Sequence, residues 1–254
     1  MPGLMWRTEG PAYSLNSRVT SMKIRNIYLS KKVPVISITI ALLCIAVTVI
    51  SAAIPSLVYS FSFTYPVRNP WQFITYIFEQ YTPQEQIPPS MELDAARLSV
   101  GHLMYNLMLV IPFGILAEKV LGAKKFLILC IAAWIPDIAV TYFTLAAITP
   151  EGEENVCKGA SGIAFAFVPV VLYILFLMGK KYGFGKLFKQ ISFYFLMPMA
   201  IMSIVIALSP SVAGVTGIFS MILHLIAIVV GTVCTIVFRK TVKGYFKPVN
   251  GVKI

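Results

Sequence analysis

QISFYFLMPMAIMSIVIALSPSVAGVTGIFSMILHLIAIVVGTVCTIVF, residues 190–238, is 49 residues without one charged side chain. A helix crosses the hydrocarbon of a bilayer with about 20 apolar residues. The run is therefore too long for one crossing and right for two, 191–208 and 215–238, divided by Ser209, Pro210, Ser211 and Gly214. Working outward, four more runs of crossing length come before it. The first is 33–56, which follows Lys31 and Lys32. The second is 98–117, between Arg97 and Glu118. The third, 126–149, is interrupted by Pro136 and Asp137, and the fourth is 159–179. The pattern predicts an all-α membrane protein: a basic tail over 1–32, a six-helix domain over 33–240 and a second tail over 241–254.

Composition agrees. Of the 254 residues, 58% are hydrophobic and 12% charged, against roughly 45–50% and about 25% in ordinary globular chains. So few charges cannot cover a water-facing surface, and the mean hydropathy is +0.82. A soluble enzyme, a disordered chain and a disulfide-stapled secreted domain are excluded. The net charge of +11 would suggest nucleic acid in a soluble protein. Here the basic residues cluster between apolar runs, where they orient helices, and no nucleic-acid partner is expected. Cys44, Cys130 and Cys234 lie inside apolar runs and Cys157 in a polar loop. Their spacing predicts neither a disulfide framework nor a metal site, and no cofactor is expected.

Lys and Arg accumulate on the cytoplasmic side of a membrane. The two tails and the turns after the second and fourth runs hold 18 of the 21 basic residues. The opposite side has only Arg68, Arg97 and Lys158, with seven of the ten acids. The expectation is a multi-pass protein of the cell membrane with both termini cytoplasmic. The first outer loop, about 57–96, exceeds what a connection needs. Its Asn69–Phe78 segment is aromatic, as expected of chain lying partly in the membrane at headgroup level.

Ionisable groups inside a bilayer are costly and by default functional candidates. The chain has two histidines, each within a predicted span. His102 has Asn106 four residues later on the same helix face, and His224 has Gly231 seven residues later, leaving room for another helix. Gly159-Ala160-Ser161-Gly162 opens the fourth run. A serine hydroxyl becomes a nucleophile when a base takes its proton, and neutral histidine is the usual base. Ser161 and His224 supply such a pair. His102, Asn106 and the Ser161 backbone N–H are candidate donors to the oxyanion that attack would create. Taken alone, GASG also reads as a small-residue packing patch, and Asp137 as part of a break in the third span.

These residues resemble the rhomboid family of intramembrane serine proteases. His102-Leu103-Met104-Tyr105-Asn106 matches its HxxxN, Gly159–Gly162 its GxSG, and His224 with Gly231 its sixth-helix histidine and glycine. Glu118-Lys119 with Leu121-Gly122, and Pro70-Trp71 with Thr75 and Phe78, are similar to two lesser motifs. Gln72 stands where the family usually has Arg, Ala227 where a second glycine is common, and about 17 additional residues precede His102. The resemblance implies a six-helix rhomboid bundle with Ser161 as nucleophile and His224 as general base and acid. It implies His102 and Asn106 at the oxyanion, with Gly159, Gly162, Phe165 and Gly231 as structural support and Phe165 against the histidine ring. It also implies transmembrane protein substrates reached from the lipid bilayer. A relative of the same fold that binds membrane clients without cleaving them is the alternative; such proteins typically lack the serine or the histidine. A transporter would need more than Asp137 as an intramembrane carboxylate.

Overall fold

The structure is a computed structural model that describes residues 23–84, 87, 94–209 and 215–246. Among the described residues six helices are long and apolar enough to cross a membrane: Val35–Ala53, Ala95–Leu121, Ala123–Ile148, Ser161–Tyr182, Ile191–Leu208 and Val215–Tyr245. They are called the first to sixth spans in that order. The protein is an integral multi-pass membrane protein built as a bundle of these helices.

Several helix ends differ from the charge-run reading, and the C-terminal ends of the second and sixth spans do so for a local reason. The second span continues through Glu118 and Lys119 because both charges are satisfied inside the protein. The Glu118 carboxylate accepts the backbone N–H groups of Ile36 at 3.0 Å and Ser37 at 2.8 Å, and the Ser37 hydroxyl at 2.7 Å. It thereby caps the start of the first span, where free N–H groups and the helix dipole favour an anion. The Lys119 ammonium donates to the carbonyls of Tyr28 and Ser30, closing the short helix Ile24–Tyr28 onto the bundle. The sixth span runs on to Tyr245, carrying Arg239, Lys240 and Lys243 in its last turns, where cations suit the dipole and long stems reach out of the apolar layer.

The third span corrects the expected interruption. Ala123–Ile148 is one helix with Pro136 inside it. A proline there frees one carbonyl and is tolerated in a membrane helix that neighbours pack and re-satisfy. In the second span the same problem is met by a π-helical turn at Val110–Gly114 around Pro112, and the Pro112 carbonyl accepts the Tyr28 hydroxyl at 2.8 Å. The fourth span begins at Ser161 rather than Gly159, since Gly159 holds φ +122°, a turn conformation open to glycine. The residues expected to divide the last two spans, Pro210, Ser211 and Gly214, lie outside the described residues apart from Ser209, as do most of Tyr81–Asp94 and the tail segments 1–22 and 247–254.

The fourth span is the axis of the bundle. Its apolar window is 72% buried, against 22% for the fifth, and Phe167, Val170, Val171 and Ile174 have no exposed surface. A helix apolar on every side belongs in the centre. The fifth span is the most loosely held: Ile191, Tyr194, Ile201 and Leu208 are all more than half exposed. The sixth meets the fourth backbone to backbone, because a Cβ at Gly231 would lie 2.2 Å from the Ala166 carbonyl oxygen.

At the end of the bundle opposite Ile24 and Tyr245, the two long loops join. Strand β1, Phe63–Tyr65, pairs antiparallel with strand β2, Asn155–Cys157, matching Phe63 with Cys157, Thr64 with Val156 and Tyr65 with Asn155. Gln72 gathers the first loop. Its buried amide oxygen accepts from the Arg68 N–H at 3.0 Å, the Asn69 N–H at 3.1 Å and the Thr64 hydroxyl at 3.2 Å, while its NH2 donates to the Tyr59 carbonyl at 2.7 Å. Arg68 and Glu154 form an ion pair across the two loops.

Candidate active site

Ser161 is the first residue of the fourth span, and two glycines shape its approach. The Gly159 N–H donates to the Tyr76 carbonyl at 2.9 Å. A Cβ on Gly159 would meet the His102 ring at 2.9 Å, so the missing side chain lets the imidazole of the second span lie against the turn. On the other flank, a Cβ on Gly162 would come within 2.1 Å of Asp137 Oδ1. The turn is therefore packed by the second span on one side and the third on the other.

His224 reaches the same place through the sixth span. Gly231, two turns further along, allows the close approach at Ala166 described above, and this brings the sixth span against the start of the fourth. The His224 ring lies parallel to Phe165, with centroids 4.1 Å apart and 3° between the planes. Phe165 is itself fully buried and tilted against Tyr105 at 6.1 Å. A ring stacked on a fixed ring is restrained in tilt, so the imidazole needs no carboxylate to orient it. Nδ1 of His224 is buried and has no hydrogen-bond partner among the described residues.

Ser161, His224 and His102 line one cavity of about 590 Å³, together with Thr82, Asn155, Lys158 and Ser220 and apolar groups from the second, third, fifth and sixth spans. The cavity lies at the loop end, bordered by Thr82 of the first loop and by Asn155–Lys158 before the fourth span. No hydrogen bond joins Ser161 to His224 among the described residues; both face the cavity. In the resting state of hydrolases such contacts are often long and tighten when substrate binds.

Asn106 sits one turn from His102, fully buried and outside the cavity lining. Its Nδ2 donates to the side-chain oxygen of Gln80 at 2.7 Å, and its Oδ1 has no partner among the described residues. An amide carries two N–H donors, and Gln80 takes one. Gln80 is fully buried and also donates to the Ile77 carbonyl at 3.2 Å. Sequence reasoning passed over it: it follows an aromatic run, and the one signal available was a polar residue closing that run. Cys157 also lines the cavity, but burial pushes its thiol up to about 12. It is un-ionised near neutral pH, whereas the thiolate is the reactive form. No cluster of metal-ligating side chains occurs among the described residues.

The arrangement holds the groups that acyl transfer calls for: a hydroxyl at a helix start, an imidazole stacked on a buried ring and a second imidazole on the same cavity. The family model described as Rhomboid domain matches residues 96–241, more than half of the chain, from the start of the second span into the last turns of the sixth. Comparison with curated proteins finds no match, and comparison with solved structures finds none.

Proposed function

Because the chain belongs to the rhomboid family, we propose that it is an intramembrane serine endopeptidase cutting peptide bonds in or near the transmembrane segments of other membrane proteins. The observation that carries this reading is the shared cavity: Ser161, His224 and His102 line one space that also holds Thr82, Asn155, Lys158 and Ser220, at the loop end of an otherwise apolar bundle. In the proposed reaction His224 accepts the proton as the Ser161 oxygen attacks the scissile carbonyl. The negative oxygen of the tetrahedral intermediate is met by donors from the Ser161 backbone N–H and His102, while Asn106, outside the cavity lining, has one amide N–H left to reach it when substrate binds. Collapse breaks the C–N bond, and His224 returns its proton to the leaving amine. Water from the cavity, deprotonated by His224, then hydrolyses the acyl-enzyme and regenerates the serine.

Substrate helices reach the cavity from the bilayer beside the fifth span, which is the least buried of the six and lines the cavity through Ile206. The Asn69–Phe78 segment lies at headgroup level, with Trp71 and Ile74 about half exposed as anchors. Both termini are on the cytoplasmic side of a cell membrane, in keeping with the 18 basic residues at that end.

Labelling with a serine-reactive fluorophosphonate tests the reading. Purified protein in detergent is treated with the probe and the adduct is located by peptide mass spectrometry. The expected adduct is on Ser161, and it is lost in His224→Ala. Labelling elsewhere, or labelling of Ser161 that persists without His224, would contradict the assignment.

A further inference from the structure

A carboxyl group at membrane depth is retained where the protein supplies partners or a use for it, and Asp137 is only 4% exposed in the middle of the third span. Its Oδ2 accepts the Tyr76 hydroxyl at 2.6 Å. Its Oδ1 has no hydrogen-bond partner among the described residues and lies against Gly162, occupying the space that a Cβ there would need. Tyr76 is buried as well, at 1% exposure, and its backbone carbonyl takes the Gly159 N–H. The two glycines that flank Ser161 are thus held by one unit, Gly162 by direct contact and Gly159 through Tyr76. One turn along the same helix face, Thr141 touches Cys157 at 4.0 Å, so the third span also backs the strand that leads into this turn.

We propose that Asp137 is a positioning residue for Ser161: with Tyr76 it braces the 159–162 turn from behind, keeping the serine hydroxyl and backbone N–H aimed into the cavity. The inference rests on the reading of Ser161 as the nucleophile. A carboxyl group suits the place for two reasons. It is short and planar enough to lie on a glycine, and it accepts the buried Tyr76 hydroxyl, which an apolar side chain of similar size would leave unpaired. Asp137 does not line the cavity, so its removal acts on the reacting serine and not on substrate binding.

Two readouts test this on the full-length protein. The first is the steady-state rate on a single-span substrate in liposomes. Asp137→Ala lowers kcat by about 10²-fold, the cost of displacing a reacting group by about 1 Å, and leaves KM within about twofold. Asp137→Asn, which keeps the shape and the acceptor, restores most of the rate, and Tyr76→Phe lowers kcat with KM again held. A merely structural carboxyl would reduce the folded fraction without changing kcat per titrated active site. The second readout needs no turnover: amide hydrogen exchange over residues 159–165 speeds up in Asp137→Ala and returns toward wild type in Asp137→Asn. Should Asp137→Ala fail to fold, Tyr76→Phe and Asp137→Asn carry both measurements. Wild-type kcat together with unchanged exchange in Asp137→Ala or Tyr76→Phe would overturn the brace. A wild-type protein that cuts nothing would instead sink the protease reading, and exchange would still decide the brace.

Discussion

Gly231→Ala sets two opposed effects against each other at one position. Alanine is the better helix former, by about 0.8–1.0 kcal/mol over glycine, so propensity alone predicts a more stable sixth span. The added Cβ, however, would stand 2.2 Å from the Ala166 carbonyl oxygen and 2.8 Å from its carbonyl carbon and Cα. A carbon rests about 3.3–3.6 Å from a carbonyl oxygen even in a close contact, so the fourth and sixth spans must part by about 1 Å. The obstacle is backbone in the most buried helix and cannot rotate aside. Overpacking of this kind costs about 1–3 kcal/mol, and a clash this deep belongs at the upper end, for a net loss of about 2 kcal/mol. The same separation shifts His224 against Ser161, and about 1 Å of misplacement costs about 10²-fold in rate. Thermal unfolding in detergent and initial rates in liposomes measure the two consequences. Gly101→Ala is the control, since a Cβ there meets nothing within 4 Å, and propensity then predicts a gain of about 0.8–1.0 kcal/mol. If Gly231→Ala proved as stable as Gly101→Ala and kept the full rate, the close-packing argument for how the dyad is assembled would be refuted.

Two other perturbations have definite signs. Glu79 is fully buried in the first loop, and burial holds its carboxyl above the usual carboxylate range, opposed by hydrogen bonds from the Ser51 hydroxyl and the Tyr81 N–H. The folded protein therefore keeps this proton more tightly than the unfolded chain does. The stability it contributes is full below about pH 4.5 and is lost as pH rises through the folded value. Glu79→Gln should accordingly raise the thermal midpoint near pH 8 and leave it unchanged at pH 4; a benefit that grew toward acid would reverse the sign and refute the reasoning. Gln80→Ala strips the Asn106 amide of its buried acceptor, a loss of about 1–3 kcal/mol, read as a lower thermal midpoint in detergent. An unchanged midpoint would mean that the Gln80–Asn106 contact contributes nothing.

The six crossings were legible because lipid permits so little: a helix in hydrocarbon cannot carry unsatisfied charge, so uncharged runs outline the spans. The same rule misplaced the end of the second span, since Glu118 and Lys119 are charged yet find partners in the first span and the short helix before it. It also read a break at Pro136, where tertiary neighbours hold the helix continuous. Ser161, His102 and His224 stood out as polar residues at helical spacing within apolar runs. Gln80, Tyr76 and Asp137 did not form a pattern, because their relations join residues 26 to 61 positions apart and arise only when the first loop folds onto the second and third spans. The β1–β2 pairing is hidden for the same reason: three residues on each side, in loops far apart in sequence, carry no periodicity to read.

If Ser161 and His224 act as one dyad, cleavage of a single-span substrate in liposomes depends on both. Wild type, Ser161→Ala and His224→Ala are compared at equal folded concentration. Wild type should give a discrete product and either variant none, with the double variant no worse than the singles, since both remove the same step. Cleavage that survives in Ser161→Ala would contradict the dyad.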